Sequence, residues 1–197
     1  MEPKKSNHFL YVLILILIVI IIVLLVRKNN KVEQHQHADA TTQQMDFSNE
    51  LKEIENLEKL VKENPQDYES ILKLAHLYQD TGQLEESIVK YKQYLEKFPD
   101  NADARIDLGV SYYQLAFEDE SRKNQLFTDA ITEMETALKY EPKHQLGHFN
   151  LGIVNLQNGN MEKARKWFKE CISINPNSQI AQKAMEILQQ HITSPVK

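Results

Sequence analysis

Four prolines, Pro65, Pro99, Pro142 and Pro176, stand at intervals of 34, 43 and 34 residues, and between them the apolar residues recur at helical spacing. Proline lacks the donor that an interior helical turn needs, so each one stops a helix and introduces a short polar turn. Inside two of the intervals a glycine, Gly82 or Gly159, follows a polar pair and supplies the left-handed conformation of a tight turn. The chain from Asn49 onward is therefore expected to be all-α, each interval holding two helices joined by a turn.

The intervals also share residues in register. The first reads Ile71-x2-Leu74-Ala75-x2-Tyr78, then Ser87-x3-Tyr91, then Pro99; the second reads Arg105-x2-Leu108-Gly109-x2-Tyr112, then Ala130-x3-Met134, then Pro142. The third reads His148-x2-Leu151-Gly152-x2-Asn155, then Ala164-x3-Phe168, then Pro176. Small residues at Ala75, Gly109 and Gly152, matched by Ser87, Ala130 and Ala164, let the two helices of a hairpin approach, and Tyr91, Met134 and Phe168 are large enough to fill the space between neighbours. A period of 34 residues with these columns resembles the tetratricopeptide repeat (TPR) family over roughly Asn49 to His191. Arg105 and His148 stand where the family has a large apolar residue, Asn155 where it has tyrosine, and Ser87 where it has alanine.

The resemblance implies a right-handed TPR solenoid. Residues 49–66 carry a half repeat, with Leu51, Ile54, Leu57, Leu60 and Val61 in a second-helix pattern; 67–100, 101–143 and 144–177 are the three repeats, 178–191 a capping helix and 192–197 a tail. The second repeat is nine residues longer than the others, the excess lying near 116–128. Longer helices or a protruding loop are expected there, either as a solvated extension or as part of a binding face.

Ahead of the repeats, residues 1–8 form a short basic tail and Phe9 to Val26 are eighteen uncharged, almost wholly aliphatic positions. Such a helix is roughly 27 Å long and can span a bilayer. The small-x-small triplet Ala38-Asp39-Ala40 lies twelve residues beyond it, too far for the usual signal cleavage, so an uncleaved single transmembrane helix is expected. Lys4 and Lys5 on one side nearly balance Arg27, Lys28 and Lys31 on the other. Charge placed directly before the first apolar segment leans towards a cytoplasmic N-terminus, with the repeats extracytoplasmic and the protein in a bacterial inner membrane. Residues 27–48, rich in Gln, Asn, Thr and His, read as a flexible polar tether.

Residues 32–197 hold 18 Lys and Arg against 27 Asp and Glu, a net charge of −9, which disfavours nucleic acid and steers basic partners inward. Cys171 is the single cysteine, flanked by Trp167, Phe168 and Ile172, and reads as a small buried hydrophobe. No phosphate-cradling glycine loop, HExxH, CxxC or GxSxG occurs, and neither His35 with His37 nor His144 with His148 has an obvious third ligand. The expectation is neither an enzyme nor a metal or cofactor protein.

What remains is the concave surface that the family builds from the first helix of each hairpin. The resemblance places Leu72, His76, Gln79, Ile106, Val110, Tyr113, Phe149, Ile153 and Leu156 there, a mostly apolar lining suited to a helix or an apolar peptide of a protein partner. The family's carboxylate clamp is missing: the corresponding positions hold Leu72, His76, Asp107 and Leu146, and only Asn150 matches. The function expected is a membrane-anchored interaction scaffold. Alternatives of the same physical kind are a self-associating scaffold and an accessory subunit of an envelope enzyme, similar to the repeat subunits of cytochrome c maturation.

Overall fold

Among the described residues, 47–192 of a computed structural model, the chain forms eight α-helices and no strand. They are α1 Ser48–Glu63, α2 Tyr68–Asp80, α3 Leu84–Lys97, α4 Ala102–Glu118, α5 Lys123–Tyr140, α6 Gln145–Gln157, α7 Met161–Ile174 and α8 Gln179–Ile187, followed by a π-turn at Leu188–Ile192. The expected membrane span at 9–26 and all but the last two residues of the expected tether lie outside the described residues. No described helix is long and apolar enough to cross a membrane.

The prolines account for the helix ends. A residue before proline is pushed out of the helical region by the ring, and Asn64, Phe98, Glu141 and Asn175, which end α1, α3, α5 and α7, have ψ of 88°, 65°, 82° and 91°. Two residues after each proline comes the cap of the next helix. The side chains of Asp67, Asn101, His144 and Ser178 accept from the backbone N–H of Ser70, Ala104, Gly147 and Ala181. Proline, one spacer and a capping side chain thus form a single stop-and-start signal used four times.

Within the hairpins the turns differ. Gly82 and Gly159 take φ of 77° and 76°, joining α2 to α3 and α6 to α7. The α4–α5 turn has no glycine: the Asp119 carboxylate accepts from the Ser121 hydroxyl, from the Arg122 guanidinium and from the Arg122 backbone N–H, and these bonds, the first two above all, hold it down to about 2. The nine extra residues of this hairpin are mostly helical. At 17 and 18 residues, α4 and α5 are each four longer than their counterparts of 13 and 14. Four residues are close to one helical turn, so the hairpin grows by about 6 Å while its buried faces keep their register.

One apolar cluster runs through the middle of the array, from Ala75 of α2 through Tyr91, Leu108, Phe127 and Met134 to Leu151 and Val154 of α6. A second joins α1 to α2 through Ile54, Leu57, Val61, Ile71 and Leu74, and a third joins α6 and α7 to α8 through Phe168, Cys171 and Ala184. In this last region a Cβ on Gly152 would sit 2.6 Å from Cδ1 of Phe168, so only glycine lets the two helices close.

Candidate functional site

The curvature of the array follows from which helices touch. Besides their chain neighbours, α2 contacts α4, α4 contacts α6 and α6 contacts α8, whereas no contact joins α3 to α5 or α5 to α7. The first helices are drawn together and the second helices splayed, so the stack curves around α2, α4, α6 and α8. Side chains of these helices that escape the core line its inner face.

Ile106 does not escape, contrary to the expected lining. It is 1 % exposed, clustered with Ala102 and Ala137, and its Cδ1 lies 2.9 Å from where a Cβ on Gly147 would stand. The glycine at the start of α6 lets that helix settle directly onto Ile106. The other eight residues remain half-buried, but they divide by chemistry.

At the N-terminal end the expected apolar lining is replaced by a polar seam. Gln79 Nε2 donates to the Ser111 hydroxyl at 2.8 Å and to the Asp107 carbonyl at 2.9 Å, and its side-chain oxygen accepts from the Tyr91 hydroxyl. His76 Nε2 lies 3.3 Å from the Asp107 carboxylate, and this bond raises the imidazole above its ordinary pKa. Buried Ser87 and Ser111 exchange a hydrogen bond at 3.0 Å, and Ser87 also donates to the Ala75 carbonyl. His76 and Gln79 therefore bind the second hairpin rather than standing open. Leu72 packs against the central cluster.

In the centre, Val110 and Tyr113 lie along α4, and Phe117 continues their stripe one turn further, within about 20° of Val110 at 100° per residue. Phe117 is 52 % exposed, its ring edge-on to Tyr113 at 5.1 Å and to Phe127 at 5.9 Å. It belongs to the extra turn of α4. The signal for it was the spacing 110, 113, 117, masked by the polar run that follows. At the C-terminal end, Phe149, Ile153 and Leu156 lean on the α7–α8 cluster and are partly covered by the capping helix, while Leu146 at the start of α6 is 42 % exposed.

The two polar departures from the repeat pattern share one role. Six residues beyond their prolines, Arg105 Nε donates to the Pro99 carbonyl at 2.7 Å, and His148 Nε2 donates to the Pro142 carbonyl at 2.9 Å. The guanidinium also holds Glu133 at 2.5 Å and lies over Tyr140, and the His148 ring rests on Trp167. Each tethers the turn before its helix, a task Ile71 does not perform at the same place in the first hairpin.

His144 caps α6 through Nδ1 and donates from Nε2 to Asp103 at 2.7 Å, so neither member of the pair with His148 is a free ligand. Among the described residues no group of three or more His, Cys, Asp or Glu could hold a metal ion. His35 and His37 lie outside the described residues. Cys171 is fully buried, and burial pushes its thiol up to about 11, which makes it inert at neutral pH.

A tetratricopeptide-repeat family model matches residues 119–178, and a TPR-repeat model matches residues 75–115. With the stacked hairpins just described, the chain belongs to the tetratricopeptide-repeat proteins. It is similar to the crystal structure of MamA, with 26 % identity, 68 % of this chain and 75 % of that one covered and a TM-score of 0.56. It is also similar to a thermophilic TPR protein of Thermus thermophilus, at 22 % identity, 69 % and 71 % coverage and a TM-score of 0.59. The first TPR of Spaghetti (RPAP3) bound to an HSP90 peptide aligns at 17 % identity over 66 % of this chain and 98 % of that one, with a TM-score of 0.56, a likeness of fold alone. No curated protein matches the sequence.

Proposed function

We propose that the array is a membrane-anchored interaction scaffold that receives a peptide or helix of a partner protein on the inner face of α2, α4 and α6. The observation that carries this reading is the apolar stripe of Val110, Tyr113 and Phe117, which stays accessible after the core has formed. TPR proteins mediate protein contacts, and a structural neighbour holds a peptide. The apolar run at 9–26 supports anchoring in a bacterial inner membrane, and the flanking charges favour extracytoplasmic repeats. A protein so confined raises the local concentration of whatever it holds against other membrane complexes.

The test is a crosslinking pulldown of the full-length protein from its native membrane, comparing wild type with Val110→Gln plus Ile153→Gln. Ile106 is unsuitable, because a polar residue in its buried place would unfold the hairpin. With circular dichroism and melting unchanged, the double variant is expected to lose the partners that wild type retains. An unchanged partner list rejects the inner face as the binding site. Retention of further copies of the chain alone identifies a self-associating scaffold, and retention of one envelope enzyme identifies an accessory subunit.

A further inference from the structure

The three helices that line the proposed site, α2, α4 and α6, carry two Lys or Arg between them, and both are engaged. Lys73 pairs with Glu53 of α1 and Arg105 with Glu133 of α5, and α6 has no Lys or Arg. Glu69 and Asp80 of α2 and Glu118 of α4, by contrast, have no ion pair among the described residues. Two of these three, Asp80 and Glu118, are the last residues of their helices and lie exposed at the hairpin tips.

The backbone adds to this charge. The C-terminus of a helix bears roughly half a negative elementary charge, which a basic residue in the last turn usually offsets. None of α2, α4 and α6 has one, and all three point their C-termini at the tip side of the inner face. The cations of the α4–α5 turn do not compensate, since Arg122 is held by Glu85 and Asp119 and Lys123 by Glu120. Beside these charges stands Phe117, half exposed on the extra turn, with the Lys123 ammonium, itself held by Glu120, 5.9 Å from the centre of its ring.

From this juxtaposition, and resting on the inner-face reading above, we infer that the partner segment is a lysine- or arginine-rich amphipathic one. Its apolar side chains lie on Val110, Tyr113 and Phe117, and its cations meet Asp80 and Glu118. The same charges exclude an acidic peptide of the kind bound by the Spaghetti domain, a peptide that ends in two glutamates, a valine and an aspartate: no free Lys or Arg of α2, α4 or α6 is left to hold its carboxylates. The lengthened second hairpin then has a purpose, for it raises an aromatic ledge, next to Glu118, about one turn above its neighbours' turns.

The experiment uses the full-length chain in a nonionic detergent and fluorescein-labelled amphipathic peptides of about 18 residues, five helical turns. One is built from Leu and Lys, one from Leu and Glu in the same pattern, and one from Ser and Lys. Fluorescence anisotropy is expected to show the Leu/Lys peptide binding at least about tenfold more tightly than either other peptide, weakening several-fold between about 50 and 500 mM salt. Phe117→Ala is expected to weaken it about tenfold, and Asp80→Asn with Glu118→Gln about fivefold. Equal or tighter binding of the Leu/Glu peptide, no binding of the Leu/Lys peptide, or an unchanged affinity in Phe117→Ala overturns the inference. Val110→Gln plus Ile153→Gln separates the two readings, since it alters the apolar lining without changing charge. If the Leu/Glu peptide binds and that variant abolishes it, the inner face stands and the cation preference falls; if the variant leaves every peptide unaffected, the inner-face reading falls as well.

Discussion

The seam between the first and second hairpins and the seam between the third hairpin and α8 use equivalent helix faces in opposite ways. In the first, Ser87, Ser111, Gln79, Asp107, His76 and Tyr91 form a connected set of hydrogen bonds, and both serines are fully buried. In the second, Phe149, Ile153, Leu156, Phe168, Ile180 and Ala184 meet in one apolar cluster. Hydrogen bonds hold a polar seam in one register, because each displaced donor is left buried and unmatched. Apolar burial is non-directional and suits a short capping helix of nine residues. The inner face is therefore divided: its N-terminal residues are spent on aligning hairpins and its C-terminal residues on holding the cap, which leaves the middle, on α4, as the open part.

The largest effect expected from this contrast is at Phe168. Phe168→Ala removes a fully buried ring at the centre of the apolar seam and is expected to cost about 3–5 kcal/mol in denaturant unfolding, with early loss of amide protection in α8. Next comes Gly152→Ala, whose new methyl drives into the same ring, which the surrounding helices keep from moving. A loss of about 2 kcal/mol is expected even after the helix-propensity gain. Gly109→Ala is the matched control. Its methyl would meet the buried but flexible Met134 side chain and, at 3.0 Å, the Ala130 carbonyl, so a smaller loss of about 1–2 kcal/mol is expected.

Ser111→Ala is expected to cost about 1 kcal/mol, since Ser87 keeps its bond to the Ala75 carbonyl and Gln79 keeps the Asp107 carbonyl. A loss as large as that at Phe168 would break the contrast and make the polar seam the keystone of the array. Smallest is the His76–Asp107 tie, between groups exposed by 45 % and 35 %. Because folding raises the His76 pKa, the tie's contribution is fully present below the unfolded value near 6.5 and is lost as pH rises through the higher folded value. The expected slope is shallow, at most about 0.5 kcal/mol, and is checked by comparing pH-dependent melting of wild type with His76→Gln.

Much of the fold was legible in the residues. The four prolines and the glycines of two turns encode stops and tips within a few residues of chain, where local sterics decide the outcome, whereas the capping side chains two positions after the prolines emerged only from the structure. The shared columns then identified the repeat. The inner face was less legible. Arg105 and His148 looked like lost apolar residues, yet each bonds the carbonyl of the proline six residues earlier, an arrangement that needs the turn to fold back beside the helix. Phe117 was missed because it sits at the edge of a polar run, and its exposure depends on α4 rising a turn above the neighbouring hairpins.

Ile106, Val110 and Tyr113 show where the division lies. All three fall on one stripe of α4, and sequence by itself determined that stripe, because helical periodicity depends only on residues within the same helix. Which of the three stays open was decided by the tertiary structure. Gly147 brings the start of α6 down onto Ile106 and buries it, while Val110 and Tyr113, further along the same helix, keep part of their surface. Exposure is set by how closely a neighbouring hairpin approaches, and that approach depends on small residues more than 40 positions away in the chain.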